Sequence, residues 1–407
     1  MIIVVLVIDI IFFNRLIKTK SNGVKMIYLD NAATSWPKPP EVLKAITEVM
    51  EQAGGNPGRS GHRFSVAAAR VVYECREKVT EFFNISDPKR VIFTANATQA
   101  INLVLRGILK PGDHVVTSSM EHNAVMRPLC FLEKQGIVIK IAQCAADGTL
   151  DVSEIAKLID NKTRLVVISL ASNVTGTILP VAEVTAVAHQ FGALVLADAA
   201  QAAGAIPIDL RQNGVDFLAF TCHKELLGPT GIGGLIISQN VDARTITPLM
   251  FGGTGSRSDS EEQPEDMPDK FESGTANMIG IAGLRAALGW INQRGLAAIG
   301  EHNKELTMML LEGLANINGV KIYGTPNAGN SLAIVSFTIK GKKVSEVGFR
   351  LDDEFEIMAR VGLHCAPAAH RTIGSFPEGT VRFSPGIFTT TENVKQTLKA
   401  VQKVTRS

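Results

Sequence analysis

The sequence predicts an α/β protein, with a large, mostly parallel sheet covered by helices and a smaller α+β layer after it. Three observations carry this reading. Beyond Met26, short apolar runs of strand length alternate with stretches whose apolar residues recur at helical spacing. The strand-like runs end in polar or small residues, at the carboxyl ends where open α/β sheets gather their ligands. From about Gly300 the alternation changes to helix, strands, helix, strands.

In chain order, residues 42–52 and 64–83 carry helical apolar spacing, and 90–94 is a short strand-like run. Residues 99–109 read as a helix stopped by Lys110-Pro111-Gly112. Runs at 114–117, 165–170, 193–197 and 216–220 are β-rich, and a further apolar strand follows the glycines of 228–234. Residues 252–269 are polar, acidic and glycine-rich, the composition of a long surface loop. A helix at 301–317, strands at 320–323 and 332–338, a helix near 345–354 and strands near Met358 and Thr380 close the chain.

The first 25 residues stand apart. Residues 2–13 are almost wholly apolar, interrupted by Asp9 and followed by Arg15, Lys18, Lys20 and Lys25. That run is shorter than the roughly 20 residues of a membrane span. It also lacks the basic start and small-residue cleavage site of a signal peptide. The expectation is an extension ahead of a fold that starts at Met26, with a weak membrane anchor as the alternative.

The 407 residues are 45% hydrophobic and 20% charged, with a formal net charge of +2. This balance gives no electrostatic reason to expect nucleic acid. The five cysteines form no C-x-x-C pair and share no metal-ligand spacing with histidines, so no metal is expected. Their scattered placement suits free thiols in a reducing cytoplasm. Cys75, Cys130 and Cys144 read as small buried hydrophobes.

Chemistry concentrates after three strands. Asp198 follows the apolar run ending in Leu196-Ala197. A carboxylate there is either a helix N-cap or the partner that the pyridine nitrogen of pyridoxal phosphate requires. Thr221-Cys222-His223-Lys224 follows another strand and precedes a glycine run that permits close backbone approach to a ligand. The amine of Lys224 is placed to bond a carbonyl cofactor. In Thr94-Ala95-Asn96-Ala97-Thr98-Gln99, between strand and helix, backbone amides and the Thr98 hydroxyl are set to cradle phosphate; Thr98 also reads as a plain N-cap.

Together these stretches resemble the class V aminotransferase family of pyridoxal-phosphate enzymes (fold type I), and within it the cysteine desulfurases and selenocysteine lyases. The resemblance runs from Tyr28-Leu29-Asp30-Asn31 to about Thr391. It is most specific at Thr221-Cys222-His223-Lys224, Phe271-Glu272-Ser273-Gly274-Thr275 and Arg360-Val361-Gly362-Leu363-His364-Cys365-Ala366. It implies that Lys224 holds the cofactor, that Ala97, Thr98, Thr221 and His223 hold its phosphate, and that Asp198 pairs its ring nitrogen. Gln201 would meet the ring hydroxyl, His122 would stack on the ring, and Asn173 would contact cofactor or substrate. Arg382 would take the substrate carboxylate, a task suited to a bidentate guanidinium. Thr275 would reach the phosphate of a second subunit, implying a homodimer.

Cys365 separates the reactions open to this family. In the desulfurases a loop cysteine takes the substrate's sulfur as a persulfide and passes it to an acceptor protein. Arg360, His364 and His370 are the nearby groups expected to favour its thiolate. Cys222, beside the cofactor lysine, is assigned to packing. Leu363-His364-Cys365-Ala366 is similar to the compact-loop branch. The implied reaction turns L-cysteine into L-alanine. The rivals are a selenocysteine lyase acting on L-selenocysteine, an aminotransferase or carbon–sulfur lyase without a persulfide, and a silent scaffold. The implied division places 41–299 in a large cofactor-binding domain and 26–40 with 300–407 in a small one.

Overall fold

The structure, a computed structural model, describes residues 26–58 and 60–406. The expected extension, 1–25, lies outside the described residues. Strand β1 (Ile27–Tyr28) is followed by helices α1 (Pro40–Gln52) and α2 (Arg63–Phe83). β2 (Val91–Thr94) turns directly into α3 (Ala97–Ile108). The alternation continues through β3 (His114–Ser118), α4 (Asn123–Glu133), β4 (Val138–Ala142) and α5 (Val152–Leu158). Next come β5 (Thr163–Ser169), α6 (Val181–Gln190), β6 (Leu194–Asp198) and the short α7 (Leu210–Asn213). β7 (Phe217–Thr221) and β8 (Gly233–Ile237) complete the sheet, and two long helices follow, α8 (Met278–Arg294) and α9 (Leu296–Ala315). The last part holds β9 (Val320–Tyr323), β10 (Val335–Ile339), α10 (Val344–Phe355), β11 (Ile357–Met358) and β12 (Arg360–Gly362). It ends with α11 (Pro367–Thr372), β13 (Thr380–Phe383) and α12 (Thr391–Arg406).

The large sheet has seven strands in the order β2-β8-β7-β6-β5-β3-β4. β8 alone is reversed, and the other six strands point the same way. Its central strands are buried on both faces, which is why they read as continuous apolar runs and not as alternation. Along β5, Val166 and Ile168 join Val79 and Phe83 of α2 with Val184 of α6. Leu165 and Val167 face the other way, onto Ile101 and Leu105 of α3 and Leu129 of α4. The strand period of two divides these residues between the helical layers.

A second sheet, β12-β13-β10-β9, is antiparallel. Its core draws Leu306 and Leu310 from α9, Phe337, Phe383 and Val401, together with Ile27 and Leu29. β1 pairs with β11 in parallel, which ties the start of the described chain to its last quarter. The acidic stretch 252–269 contains no helix or strand and is mostly exposed. One sequence expectation fails here: Cys130 is exposed, not buried. On α4, Val125, Leu129 and Leu132 form the inward stripe, and Cys130 falls on the opposite side.

Candidate active site

Strands β2, β3, β5, β6 and β7 end in Thr94, Ser118, Ser169, Asp198 and Thr221. Their common carboxyl edge carries the polar chemistry of the molecule.

At the β2–α3 turn the Asn96 side chain caps the helix, accepting from the Gln99 amide at 3.0 Å. Asn96, not Thr98, is therefore the N-cap. The amides of Ala97 and Thr98, in the first turn, have no carbonyl four residues back to bond. Gly233 makes room below: a Cβ there would lie 2.5 Å from the Phe220 carbonyl oxygen and 2.9 Å from the Asn96 Cα.

After β3, Glu121 is wholly buried and accepts from the Ser118 hydroxyl at 2.6 Å, the Ser169 hydroxyl at 2.6 Å and the Ser169 amide at 3.1 Å. Burial pushes its carboxyl up to about 7 against these donors. His122 opens α4, its Nδ1 accepting from the Ala124 amide at 3.0 Å. The proton of the neutral ring therefore sits on Nε2. Burial, with the charges of Lys224, Arg127, Arg360 and Arg382, draws His122 down to about 4.

Asp198 ends β6 and is buried, with the Ala200 amide 2.9 Å from its Oδ1. A turn, not a helix, follows it directly, so the N-cap alternative falls away. Burial raises its pKa, opposed by that amide and by the charge of Lys224. Gln201 donates from Nε2 to the Ala32 carbonyl at 3.1 Å. One strand further, burial draws the Lys224 amine down to about 8; Asp198 opposes this, while Arg382 and Arg360 add to it. Cys222 packs in the core, where its Sγ occupies the space a Cβ on Gly228 would need.

Arg382, on β13, is 2% exposed. Its Nη1 donates to the Asn173 carbonyl at 2.9 Å and its Nη2 to Asp30 Oδ1 at 2.8 Å, which leaves Nε buried without a partner. Asn173 also donates from Nδ2 to the His364 carbonyl at 2.6 Å, linking the arginine to the cysteine loop. In that loop His364 and Cys365 both take the left-handed conformation, with φ of 47° and 58°. Such a conformation costs a residue with a Cβ about 1–2 kcal/mol. The Cys365 carbonyl accepts from the Asn123 amide at 2.8 Å, docking the loop onto the start of α4, and its side chain is exposed. Cys365 lies within electrostatic reach of Lys224 and Arg382.

The expectation that His364 and His370 supply positive charge to this cysteine is overturned. Both are buried, with ring centroids 5.3 Å apart, and burial holds both well below the usual imidazole range. They are neutral at physiological pH, so the cations of the loop's surroundings are Arg360, Arg382 and Lys224.

The aminotransferase class-V family model matches residues 27–397. The chain belongs to the class-V aminotransferase family. It is 37% identical to the probable cysteine desulfurase of Methanothermobacter thermautotrophicus over 91% of this chain and 92% of that one. It is 34% identical to the probable cysteine desulfurase of a Synechocystis species, over 95% and 92% of the two chains. The apo cysteine desulfurase of Thermococcus onnurineus NA1 superposes with a TM-score of 0.88 at 33% identity, covering 94% of this chain and 95% of that one. Cysteine desulfurase CsdA of Escherichia coli gives a TM-score of 0.84 at 29% identity, with coverages of 94% and 95%.

The class-V family is pyridoxal-phosphate-dependent, and the donor set of this chain suits that group. Thr221 Oγ1 and His223 Nδ1 are buried without a hydrogen-bond partner, the pattern left by a ligand rich in oxygens. Lys224, Asp198, His122, Asn173, Arg382 and Cys365 converge. Thr275 does not join them. It is exposed, 3.5 Å from Asn56 Nδ2, and lines a separate cavity with Thr94, Ala95 and Tyr73.

Supporting residues that sequence reasoning missed are Glu121, Asp30, Ser35 and Lys38. Asp30 follows an apolar run, as Asp198 does, and that signal was readable; Glu121 follows Ser118-Ser119-Met120 and carries no such mark. Ser35 donates to the Lys224 carbonyl at 2.8 Å and Lys38 to the His223 carbonyl at 2.8 Å, across more than 180 residues of chain, and nothing local announces either contact.

Proposed function

We propose that this chain is a pyridoxal-phosphate-dependent cysteine desulfurase that takes sulfur from L-cysteine onto Cys365, releases L-alanine and hands the sulfur to an acceptor protein. The observation that carries the reading is an exposed cysteine, held in a strained loop, at the mouth of a site built from Lys224, Asp198 and Arg382.

Ala97, Thr98, Thr221 and His223 would hold the phosphate, Asp198 the ring nitrogen and Gln201 the ring hydroxyl, with His122 against the ring and Lys224 as the covalent attachment. When bound, the group supplies an electron sink for bonds broken at the substrate's α-carbon. Arg382 anchors the substrate carboxylate; its Nη atoms are already fixed by Asn173 and Asp30, so its direction is set before substrate arrives. Lys224 Nζ, with a pKa near 8, takes up and returns a proton near neutral pH. His122 stays neutral and adds no charge beside the ring. Cys365 Sγ attacks the substrate sulfur and keeps it as a persulfide, while the electrons of the broken carbon–sulfur bond stay with the carbon that becomes the methyl group of alanine.

The reading extends to a homodimer in which Thr275 serves the neighbouring site, to the large domain 41–299 with a small one of 26–40 and 300–407, and to work in the cytoplasm. Five unpaired cysteines support that compartment. No helix among the described residues is long and apolar enough to cross a membrane. The test is to supply L-cysteine to the purified protein and measure alanine, sulfide and protein-bound sulfane sulfur together. Alanine and bound sulfur rising together support the reading; sulfide released without bound sulfur makes the chain a lyase.

A further inference from the structure

A groove of about 450 Å³ opens beside Cys365. Its walls come from α3 and α4, with Arg106, Arg127, Asn102, Pro128 and Phe131 among the lining residues, and no carboxylate lines it. Arg106 and Arg127 are exposed, and among the described residues neither forms an ion pair. The Arg106 guanidinium sits 5.7 Å from the centre of the Phe131 ring, so the charge has an aromatic support. Phe131 is itself 49% exposed. Unpaired arginines beside an open aromatic ring are the composition of a protein-recognition patch. Thr98, His122 and Cys365 line its inner side, so the groove adjoins the proposed cofactor site.

We propose that this groove docks the sulfur acceptor, and that it selects a polypeptide segment in which acidic residues flank a cysteine. The inference rests on the desulfurase reading. Arg106 and Arg127 pair with the acidic side chains, the apolar part of the segment lies on Pro128 and Phe131, and the acceptor thiol is brought to Cys365. The acceptor thiolate attacks the outer sulfur of the Cys365 persulfide. The bond between Cys365 Sγ and that sulfur breaks, Cys365 leaves as a thiolate and takes the acceptor's proton, and the acceptor carries the persulfide. No outside oxidant or reductant enters. The acidic stretch 252–269 of a second copy is the competing occupant with matching charge.

The experiment loads the holoenzyme with radiolabelled sulfur from L-cysteine and then adds one of three short peptides, a central cysteine flanked by acidic, uncharged or basic residues. Loading, read before any peptide is added, reports on the desulfurase reading by itself, and its absence would sink both claims. The expected result is transfer to the acidic peptide faster than to the basic one by roughly tenfold or more at low salt. The difference should shrink as salt screens the arginines. The Arg106→Glu variant, which leaves Arg127 and its charge on His122 in place, should load sulfur and form alanine with dithiothreitol as sulfur acceptor at the parent rate, yet lose most of the acidic preference. Equal rates for all peptides, or a variant that keeps the acidic preference, would overturn the proposal. So would glutathione accepting as fast as the acidic peptide, which makes the groove a small-anion site. Loss of the dimer in the variant would assign the groove to a second copy and also end it.

Discussion

Lys38 Nζ lies 2.8 Å from the carbonyl oxygen of His223, the residue before the proposed cofactor lysine. The same oxygen receives the Ser35 amide at 2.9 Å and the Thr34 hydroxyl at 3.1 Å, while the Ser35 hydroxyl reaches the Lys224 carbonyl. Eight residues before Lys38, Asp30 grips Arg382. Residues 30–38 thus form a strap fastened at one end to the substrate anchor and at the other to the lysine turn. Replacing Lys38 by Met keeps the stem and removes a charged hydrogen bond, which costs about 1.5–3 kcal/mol. Because other donors hold the His223 carbonyl, the expected loss of stability in urea unfolding is near the lower figure. Lys38→Arg should recover most of it. A Met variant as stable as the parent would mean the contact is idle.

Lys224 should titrate well below ordinary lysines in the cofactor-free chain. Burial lowers its pKa from 10.5 to about 8, so at pH 9 it is mainly neutral while surface lysines remain charged. Labelling with an amine reagent at pH 9, followed by peptide mapping, should find Lys224 among the fastest sites. The sign for stability follows. Between pH 8 and 10.5 the unfolded chain holds a proton that the folded chain has released, so this group's destabilising contribution is complete below 8 and fades as pH rises through that window. Lys224→Met should therefore raise the melting temperature of the cofactor-free chain at pH 7, and raise it less at pH 10.

Cys365 allows function and strain to be read apart. Cys365→Ala should retain the fold and lose both bound sulfane sulfur and most alanine formation from L-cysteine. Cys365→Gly should lose the same chemistry but be more stable than the Ala variant by about 1 kcal/mol, since glycine takes a φ of 58° without the Cβ penalty. Alanine formation at the parent rate in either variant would make Cys365 a structural residue.

Arg382→Lys tests the anchor. The guanidinium spends one nitrogen on Asn173 and another on Asp30, with a third left over; a lysine has a single nitrogen for all three tasks. Steady-state kinetics should give a kcat/KM for L-cysteine lower by roughly 10- to 100-fold, the loss of a charged hydrogen bond. Most of it should appear in KM. A fall confined to kcat would place Arg382 in the chemical step instead.

The central sheet was legible in the sequence because its strands are buried on both faces and stand out as unbroken apolar runs, as at 165–170. So was the site edge, since Asp198 and Lys224 follow their strands directly. What escaped were relationships fixed only by tertiary packing. The N-cap of α3 fell on Asn96 and not Thr98, a shift of two residues within a run of capping residue types. His364 and His370 looked like cations beside Cys365, but their charge depends on a burial that the loop's sequence does not reveal. The strap was invisible because its donors reach almost 190 residues along the chain.

The Asp30–Arg382 pair also orders the birth of the molecule. Asp30 leaves the ribosome 352 residues before its partner. Every strand of the large sheet, with Asp198 and Lys224, is translated while Arg382 does not yet exist. A nascent or prematurely ended chain can therefore form the sheet that bears the lysine, yet it holds Asp30 without a counter-ion and lacks any grip on a substrate carboxylate. The codons that add Cys365 and Arg382 complete the site long after the strap that waits for them has been made.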